Sequence, residues 1–333
     1  MVVVNFKVVL ASGVSQKDVP ELLNALGSAF EGRAAALFVT LAGCGVVLLN
    51  KRSVVWKRGL FFVVFGYLWQ IVWPGDILHY YGFYFLVAWL VWNAPIKRLL
   101  TLASASMLAF VLAFSVLDYG AGWNWLKLDY VDFWTPIGQA RNLFFNGWHP
   151  MFPWLSFLFL GMALAHGGIA EPVKRRRALW ISASVLVGVT FLSKLLSGIP
   201  DGRPWTAQIV EWWASPEAMF GVSSLPPMPL YVLSAASSST LLLALCIELT
   251  DRETPQLWAR LLAHTGQLSF TFYVAHVLLG LGKGVRLLPD STWLEEAWMR
   301  AAVFALGALI FANFWRKFFK RGPLEWVMRR LTS

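Results

Sequence analysis

Long apolar runs, separated by short polar segments, make up most of this 333-residue chain. A helix that crosses a bilayer needs about 20 predominantly apolar residues, and nine runs come close to this length. They lie near residues 34–50, 57–73, 77–94, 97–117, 150–166, 177–197, 228–249, 267–284 and 297–315. The pattern therefore predicts an all-α fold, a polytopic integral membrane helix bundle.

The first ten residues, MVVVNFKVVL, form a shorter apolar run. Ten residues are about half of a membrane span, and the run lacks the basic start and small-residue cleavage site of a signal peptide. We expect the outer half of a first transmembrane helix that is truncated here, with the true start upstream. Counting this helix, the bundle is predicted to have about ten transmembrane helices.

Two connections, near residues 118–149 and 198–227, are long and rich in tryptophan. Tryptophan is enriched at membrane–water interfaces, and loops of more than about 12–15 residues are often functional. Both loops are expected to form an aromatic interfacial belt or to cap an outward-facing cavity. We interpret residues 1–333 as a single transmembrane domain that carries these loops on its extracytoplasmic side.

Lysine and arginine fall in every second connection, and this alternation predicts the orientation of the chain. They cluster at residues 51–58, 97–98, 174–177 and 252–260, and six more lie between 316 and 330. Because short cytoplasmic loops carry the excess of basic residues, this side and the C-terminus are predicted to be cytoplasmic. Topology is sufficient to explain the clusters, and attraction of an anionic ligand or anionic lipid is the alternative interpretation.

The composition agrees with a membrane protein and excludes several other classes. Apolar residues make up 58% of the chain, charged residues only 14%, and the mean hydropathy is +0.59. A soluble domain has roughly 45–50% apolar and about 25% charged residues. The net charge of +10 does not indicate a nucleic-acid partner, because the basic residues are dispersed rather than gathered on one face. Cys44 and Cys246 both lie inside apolar runs, which excludes a disulfide scaffold and a cysteine metal site.

Several polar residues are predicted to lie at membrane depth, where they are costly and mark function by default. Asp76 and His79 are three residues apart and so share one face at the predicted outer start of a helix. His276 lies inside an apolar run. We expect seven such residues to converge on one outer-leaflet cavity: Asn5, Arg33, Asp76, His79, Arg141, His149 and His276.

These residue types are suited to base-assisted group transfer onto a hydroxyl or amine. A histidine oriented by a carboxylate is a general base, and arginine binds carboxylate or phosphate groups. The predicted catalytic residues are His276, His79, Asp76 and His149, and the predicted substrate-binding residues include Asn5, Arg33 and Arg141. Alternatively, the histidines are interfacial or helix-to-helix hydrogen-bonding residues. They are too scattered to indicate a metal site, and no GxSxG, Walker or GxGxxG motif occurs.

Five strings carry a family resemblance: EGRAAALFVTLAGCG, PGDILHYYG, RNLFFNGWHPMFPWLSFLFLGMALAHG, GQLSFTFYVAH and RGPLEWVMRRLT. In this order the chain resembles bacterial YeiB-like membrane proteins. These belong with the heparan-α-glucosaminide N-acetyltransferase-like proteins in a transmembrane acyltransferase superfamily. The last string, at residues 321–332, is the most specific of the five.

The resemblance implies a bundle of about ten or eleven helices in the bacterial inner (cytoplasmic) membrane. It also implies transfer of an acyl group from a thioester donor, acyl-CoA, to an extracytoplasmic acceptor. Trp154, in the third string, and Gln267, where arginine is commoner in the family, join the predicted substrate-binding residues. His276 falls where broader membrane acyltransferases have a Y-x-x-H helix.

One departure from the family concerns the catalytic histidine. The acetyltransferase branch carries a key histidine just after its first helix, whereas residues 8–30 of this chain contain none. That catalytic role therefore passes to His79, His149 or His276, or the chain has lost the chemistry.

The sequence thus predicts an integral membrane acyltransferase that moves an acyl group, such as acetyl, onto a hydroxyl or amine of a glycan or lipid. A transporter or flippase for a small or amphipathic solute and a catalytically inactive homologue are the alternatives, so enzymatic activity stays open. The expected partners are the lipid bilayer and a small-molecule, glycan or lipid acceptor, with no metal and no nucleic acid. The oligomeric state also stays open.

Overall fold

The computed structural model describes residues 2–10, 21–125, 127–202, 211–252, 254, 256–281 and 294–333. Residues 203–210 of the predicted loop at 198–227 lie outside the described residues. The last three residues of the predicted span at 267–284 do so as well.

Helices dominate the described residues, as the apolar pattern predicts, and each predicted span overlaps a helix in the part of the chain that the structure describes. The helices are α1 (Val2–Leu10), α2 (Glu21–Phe30), α3 (Arg33–Leu49), α4 (Arg52–Gln70), α5 (Leu78–Leu90), α6 (Ile96–Val116), α7 (Pro136–Arg141), α8 (Met151–His166), α9 (Pro172–Ser197), α10 (Pro216–Phe220), α11 (Pro229–Thr250), α12 (Leu257–Gly266), α13 (Ser269–Ala275), α14 (Leu294–Phe318) and α15 (Pro323–Thr332). Two π-helical turns, Asn142–Asn146 and His276–Gly280, continue α7 and α13, and a 3₁₀ turn spans Trp212–Ala214.

Two very short strands interrupt this helical pattern in the loop after α6. β1 (Trp123–Asn124) pairs antiparallel with β2 (Asp129–Tyr130), and Trp123 lies opposite Tyr130. The following helix α7 begins at a strong local signal, because Thr135 Oγ1 accepts from the backbone nitrogen of Gly138 at 3.0 Å and Pro136 occupies the first turn.

Four of the described helices are long and apolar enough to cross a membrane: Ile96–Val116, Pro172–Ser197, Pro229–Thr250 and the Ala297–Phe318 part of α14. A fifth span results if Pro136–Asn146 and Met151–His166, which meet at a 49° bend, are counted together. The chain is therefore a multi-pass, helical membrane protein.

The predicted count of about ten spans stays a prediction. The helix α5 has 13 residues, so at 1.5 Å per residue it is about 20 Å long, against a hydrocarbon core of about 30 Å. The helix α4 has 19 residues but carries Arg52, Lys57 and Arg58 in its first two turns.

The chain divides into two compact units, and each is described by itself. One unit is Gly32–Glu248, and the other combines Met1–Glu31 with Leu249–Ser333. The expectation of a single domain over the whole chain stays a prediction.

Close helix packing positions the polar residues of the larger unit. The helix α4 packs along α5, and α8 packs against both α3 and α6. Gly66 on α4 is in contact with the backbone of His79 at the start of α5, and a methyl group at Gly66 would overlap that backbone. Small residues allow such close approach between membrane helices.

In the smaller unit, α1 packs on α14, where Phe6 is fully buried against Ala297 and Ala301. A second contact joins α15 to α13 through the carboxylate of Glu325. It accepts from the backbone nitrogens of Phe270 and Thr271 at 2.8 Å and 3.0 Å, and from Thr271 Oγ1 at 2.5 Å. An acidic side chain at the N-terminal end of a helix satisfies its free N–H groups and complements its dipole.

Candidate functional site

Asp76 and His79 form a buried pair at the start of α5. Oδ2 of Asp76 accepts from the backbone nitrogen of His79 at 3.0 Å and lies 3.2 Å from His79 Nδ1. The side chains are 0% and 2% exposed. Because the carboxylate accepts the Nδ1–H, the lone pair of His79 lies on Nε2. That atom is buried and has no hydrogen-bond partner among the described residues.

Aromatic rings enclose His79. The ring centroid of His79 lies 3.9 Å from that of Tyr80 and 5.4 Å from that of Tyr67. Phe133, from the loop that carries β1 and β2, packs edge-on at 5.9 Å. The loop at 118–149 therefore contacts the Asp76–His79 pair through Phe133, and its role as a cap over an outward-facing cavity stays a prediction.

The ring of His149 also packs against Tyr80. The two ring centroids are 5.9 Å apart, and the carbonyl oxygen of His149 accepts from Tyr84 Oη at 2.6 Å. Tyr80 Oη donates to Asn142 Oδ1 at 2.5 Å. Asn142 begins the π-helical turn after α7, a type of irregularity that is frequent at functional sites.

Ring contacts form a row that runs from His79 through Tyr80 to His149. The row continues to Trp154, with ring centroids 4.6 Å apart, and from there to Tyr231, with centroids 6.3 Å apart. One helical turn beyond Tyr231, Ser234 accepts from Arg33 Nη2 at 3.0 Å. The structure therefore places five predicted site residues along one connected row: Asp76, His79, His149, Trp154 and Arg33.

Four polar atoms of this row are buried without a hydrogen-bond partner in the part of the chain that the structure describes. They are His79 Nε2, His149 Nδ1, Trp154 Nε1 and Tyr231 Oη. Leaving a buried donor or acceptor unpaired costs about 1–3 kcal/mol, so such atoms are rare and call for a functional explanation. Three donors or acceptors suited to a polar ligand therefore lie in the same row as His79 Nε2.

Arg141, which was predicted to bind substrate, forms hydrogen bonds with two residues of the aromatic loop. Its Nη2 donates to Asp132 Oδ2 at 2.5 Å, and its Nε donates to Tyr130 Oη at 2.8 Å. Burial is the main cause that raises the pKa of Tyr130 to about 12, so this phenol stays protonated at neutral pH. Tyr130 in turn donates to Asn146 Oδ1 at 2.7 Å. Arg141 thus connects the aromatic loop to the end of the π-helical turn.

Asn146 forms hydrogen bonds with several residues of this loop and was not predicted from the sequence. Its Nδ2 donates to the carbonyl oxygens of Tyr119 and Ala121, both at 2.8 Å, and its own carbonyl oxygen accepts from Trp123 Nε1 at 2.6 Å. The available signal was the pair Asn142 and Asn146, four residues apart in the RNLFFN string, which places both amides on one side of a helical turn.

The remaining predicted residues belong to the smaller unit. Asn5 Nδ2 lies 2.8 Å from His276 Nε2, and His276 Nδ1 lies 3.3 Å from the carbonyl oxygen of Phe272. His276 is fully buried with both ring nitrogens paired, because Nε2 contacts Asn5 of another helix and Nδ1 contacts its own helix. Gln267 is exposed in the turn between α12 and α13. Convergence of all seven polar residues on one cavity stays a prediction.

No group of three or more His, Cys, Asp or Glu side chains suited to a metal ion occurs in the part of the chain that the structure describes.

Comparison with known proteins assigns the chain to two protein families. Residues 1–195 match the family described as heparan-alpha-glucosaminide N-acetyltransferase, catalytic, and residues 164–333 match the family DUF418, described as a protein of unknown function. The chain belongs to both families, and so to the YeiB-like and heparan-α-glucosaminide N-acetyltransferase-like superfamily. Asp76, His79, His149 and Trp154 all lie within the segment that matches the acetyltransferase family.

A more local similarity links the chain to a protein of Bacillus acidopullulyticus named "Uncharacterized 39.9 kDa protein in amylase 3'region". The two are 38% identical over 69 residues, which is 20% of each chain. The chain thus spans about a fifth of the length of this curated relative. No solved structure matches the chain.

Proposed function

We propose that this protein is a membrane acyltransferase in which His79 is the general base and Asp76 holds it in the productive tautomer. The reaction moves an acyl group, such as acetyl, from acyl-CoA or another thioester to a hydroxyl or amine of an extracytoplasmic acceptor. The observation that carries the proposal is the buried His79 Nε2, which has no hydrogen-bond partner among the described residues while Nδ1 faces a carboxylate. Membership of an acetyltransferase-like family supports the reaction class.

The proposed step balances without a metal or redox partner. The acceptor oxygen or nitrogen attacks the thioester carbonyl carbon while Nε2 of His79 removes the acceptor proton. The carbon–sulfur bond then breaks, and the proton passes from Nε2 to the departing thiolate. The products are an ester or amide and a free thiol.

Trp154 and His149 are suited to hold the substrates. Trp154 Nε1 is a buried donor that can stabilise the negative charge on the thioester oxygen in the transition state. His149 Nδ1 is a buried atom suited to orient the acceptor group. Arg33, half-buried at the start of α3, is suited to an anionic part of donor or acceptor.

The decisive experiment compares transfer by two histidine variants in detergent-solubilised protein. Acetyl-CoA and longer acyl-CoAs are supplied with a panel of hydroxyl and amine acceptors, and free thiol and acylated product are both quantified. We expect His79→Ala to lower the rate by about 10²–10⁴-fold, the usual contribution of a general base. His166→Ala, at the exposed end of α8, is the matched control and should retain activity. Equal activity of both variants would refute the role of His79.

Donor binding is tested independently by thermal unfolding. A ligand that binds only the folded state adds about 2.7 kcal/mol at 100 times its dissociation constant. We expect acyl-CoA to raise the melting temperature and plain adenine nucleotides to leave it unchanged. Folded protein that responds to no thioester and forms no product would instead be an inactive homologue.

The bend between the π-helical turn and α8 favours a transporter as the second candidate. The two segments meet at 49°, and His149 lies at the break. Broken helices of this kind line substrate sites in secondary transporters. Counterflow uptake into proteoliposomes without any acylated product would support this alternative over the enzyme.

We place the protein in the bacterial inner membrane, with the C-terminus on the cytoplasmic side. The support is the alternation of basic clusters between successive spans, which follows the positive-inside rule.

A further inference from the structure

The C-terminal segment contains a cleft that the proposed acyl transfer does not use. The cleft has a volume of about 570 Å³, within the usual range for a ligand site. Its walls include Trp315 and Phe319 from the end of α14 and its C-terminal extension, and Trp326 and Val327 from α15. Lys320 and Arg321, in the turn between the helices, add two cationic groups.

Contacts among the lining residues fix the walls of this cleft. Trp315 Nε1 donates to the carbonyl oxygen of Arg321 at 2.8 Å, and the rings of Trp315 and Phe319 are stacked with centroids 4.3 Å apart. On the opposite wall, the three hydrogen bonds accepted by Glu325 fasten α15 to the start of α13. The cleft is therefore built by folded elements.

The position of the cleft relates it to a bilayer. The Ala297–Phe318 part of α14 is a candidate membrane span, and the cleft begins at its last turn. Tryptophan and basic residues at the end of a span are the side chains that anchor helices at the headgroup level. The cleft therefore lies where lipid headgroups meet the end of that span.

The exposed side of α15 carries large apolar side chains together with Arg329 and Arg330. Glu325 is hydrogen-bonded inward and Thr332 is buried, whereas Trp326 and Leu331 are 56% and 66% exposed. An amphipathic helix with exposed apolar and basic side chains is suited to lie in the membrane interface.

The positive charge of residues 316–330 favours an anionic lipid headgroup. Six basic residues occur between 316 and 330, and Glu325 is the one acidic residue there. Its carboxylate is occupied by the contacts to Phe270 and Thr271. A clustered positive charge at the end of a span attracts anionic lipids.

We propose that this cleft binds an acidic phospholipid, with the phosphate between Lys320 and Arg321 and the acyl chains along Trp326 and Val327. The bound lipid fastens α15 to the end of the last span. This cleft shares no residue with the proposed acyl-transfer site, so lipid binding stands whether or not acyl transfer is confirmed.

The test measures thermal unfolding and lipid retention of the full chain in detergent. Short-chain phosphatidylglycerol, phosphatidylcholine with the same chains, and glycerol 3-phosphate are compared, and native mass spectrometry measures retained lipid. We expect phosphatidylglycerol alone to raise the melting temperature. The double variant Lys320→Gln, Arg321→Gln should bind it at least tenfold more weakly.

A matched variant separates the cleft from general surface charge. Lys97→Gln with Arg98→Gln removes two exposed charges at the start of another candidate span, Ile96–Val116, and should leave binding unchanged. Equal weakening in both double variants would overturn the proposal, and so would equal stabilisation by the two lipids. Equal binding of glycerol 3-phosphate would assign the cleft to a soluble phosphate instead. Lys320→Arg with Arg321→Lys keeps the charge and should keep the lipid.

Discussion

Oδ2 of Asp76 accepts from the backbone nitrogen of His79 at 3.0 Å and lies 3.2 Å from Nδ1 of the same residue. One carboxylate oxygen therefore has two functions, since it caps the N-terminal end of α5 and orients the imidazole ring. Substitutions of Asp76 can separate these hydrogen bonds from the negative charge of the carboxylate.

We predict that Asp76→Asn lowers the acyl-transfer rate by about 10²-fold or more, because a neutral amide no longer stabilises the positive charge that His79 acquires when Nε2 takes the acceptor proton. The amide oxygen can take the place of Oδ2 and accept from the backbone nitrogen of His79, so the melting temperature should stay close to that of the wild type. Asp76→Ala should lose activity and also about 0.5–2 kcal/mol of stability, the usual value of a helix cap. Rates and thermal unfolding of both variants check this, and full activity of Asp76→Asn would contradict it.

We predict that His276 contributes to stability rather than to the chemical step. His276→Ala leaves the Asn5 amide without its partner and should cost about 1–3 kcal/mol, while the rate per folded molecule stays within a few-fold. Asn5→Ala should destabilise too, and the double variant should cost clearly less than the sum, because both remove one interaction. A strictly additive cycle, or loss of transfer in folded His276→Ala protein, would show another role.

We predict that Glu325→Ala is among the most destabilising substitutions in the smaller unit. It removes hydrogen bonds to two backbone nitrogens and one hydroxyl, and charged hydrogen bonds contribute about 1.5–3 kcal/mol each. Thr271→Val, which removes the hydroxyl alone, should have a smaller effect. The control is Glu217→Ala at an exposed position of α10, where the melting temperature should hardly change.

We predict that Gly66→Ala destabilises the protein by about 1–3 kcal/mol, because the added methyl overlaps the backbone of His79. Gly188→Ala, in α9, is the matched control, since nothing lies within 4 Å of a methyl group there. It should be neutral or stabilising by up to about 1 kcal/mol, the helix propensity difference. Equal melting temperatures for the two variants would show that α4 does not press on α5 in the folded protein.

We predict that Phe133 shields His79 from solvent. Phe133→Ala should increase the rate at which diethyl pyrocarbonate modifies His79, as measured by peptide mass spectrometry, because the ring packs edge-on against the imidazole. Ile137→Ala, at a 74% exposed position on the same segment, should leave the rate unchanged. Unchanged modification in Phe133→Ala would mean that another element covers the pair.

Local patterns predicted what depends on neighbours in the chain. The apolar runs predicted the helices, and the three-residue spacing predicted that Asp76 and His79 lie close together. In the structure Asp76 precedes α5, which begins at Leu78, and its carboxylate reaches His79 as a capping group. The Thr135–Pro136 start of α7 is equally local. The two-stranded ribbon at Trp123 and Tyr130 was not predicted, because two-residue strands leave no periodic pattern.

By itself, the sequence determined a helical membrane protein, the basic C-terminal segment, the family resemblance and the Asp76–His79 pair. Only the tertiary structure decided three hydrogen-bonded pairs: Asn5 with His276, Thr271 with Glu325, and Tyr80 with Asn142. These partners are 271, 54 and 62 residues apart. The physical reason is that a membrane helix is apolar on every side, so its sequence does not specify which face meets which neighbour; side-chain packing and the pairing of polar groups decide it.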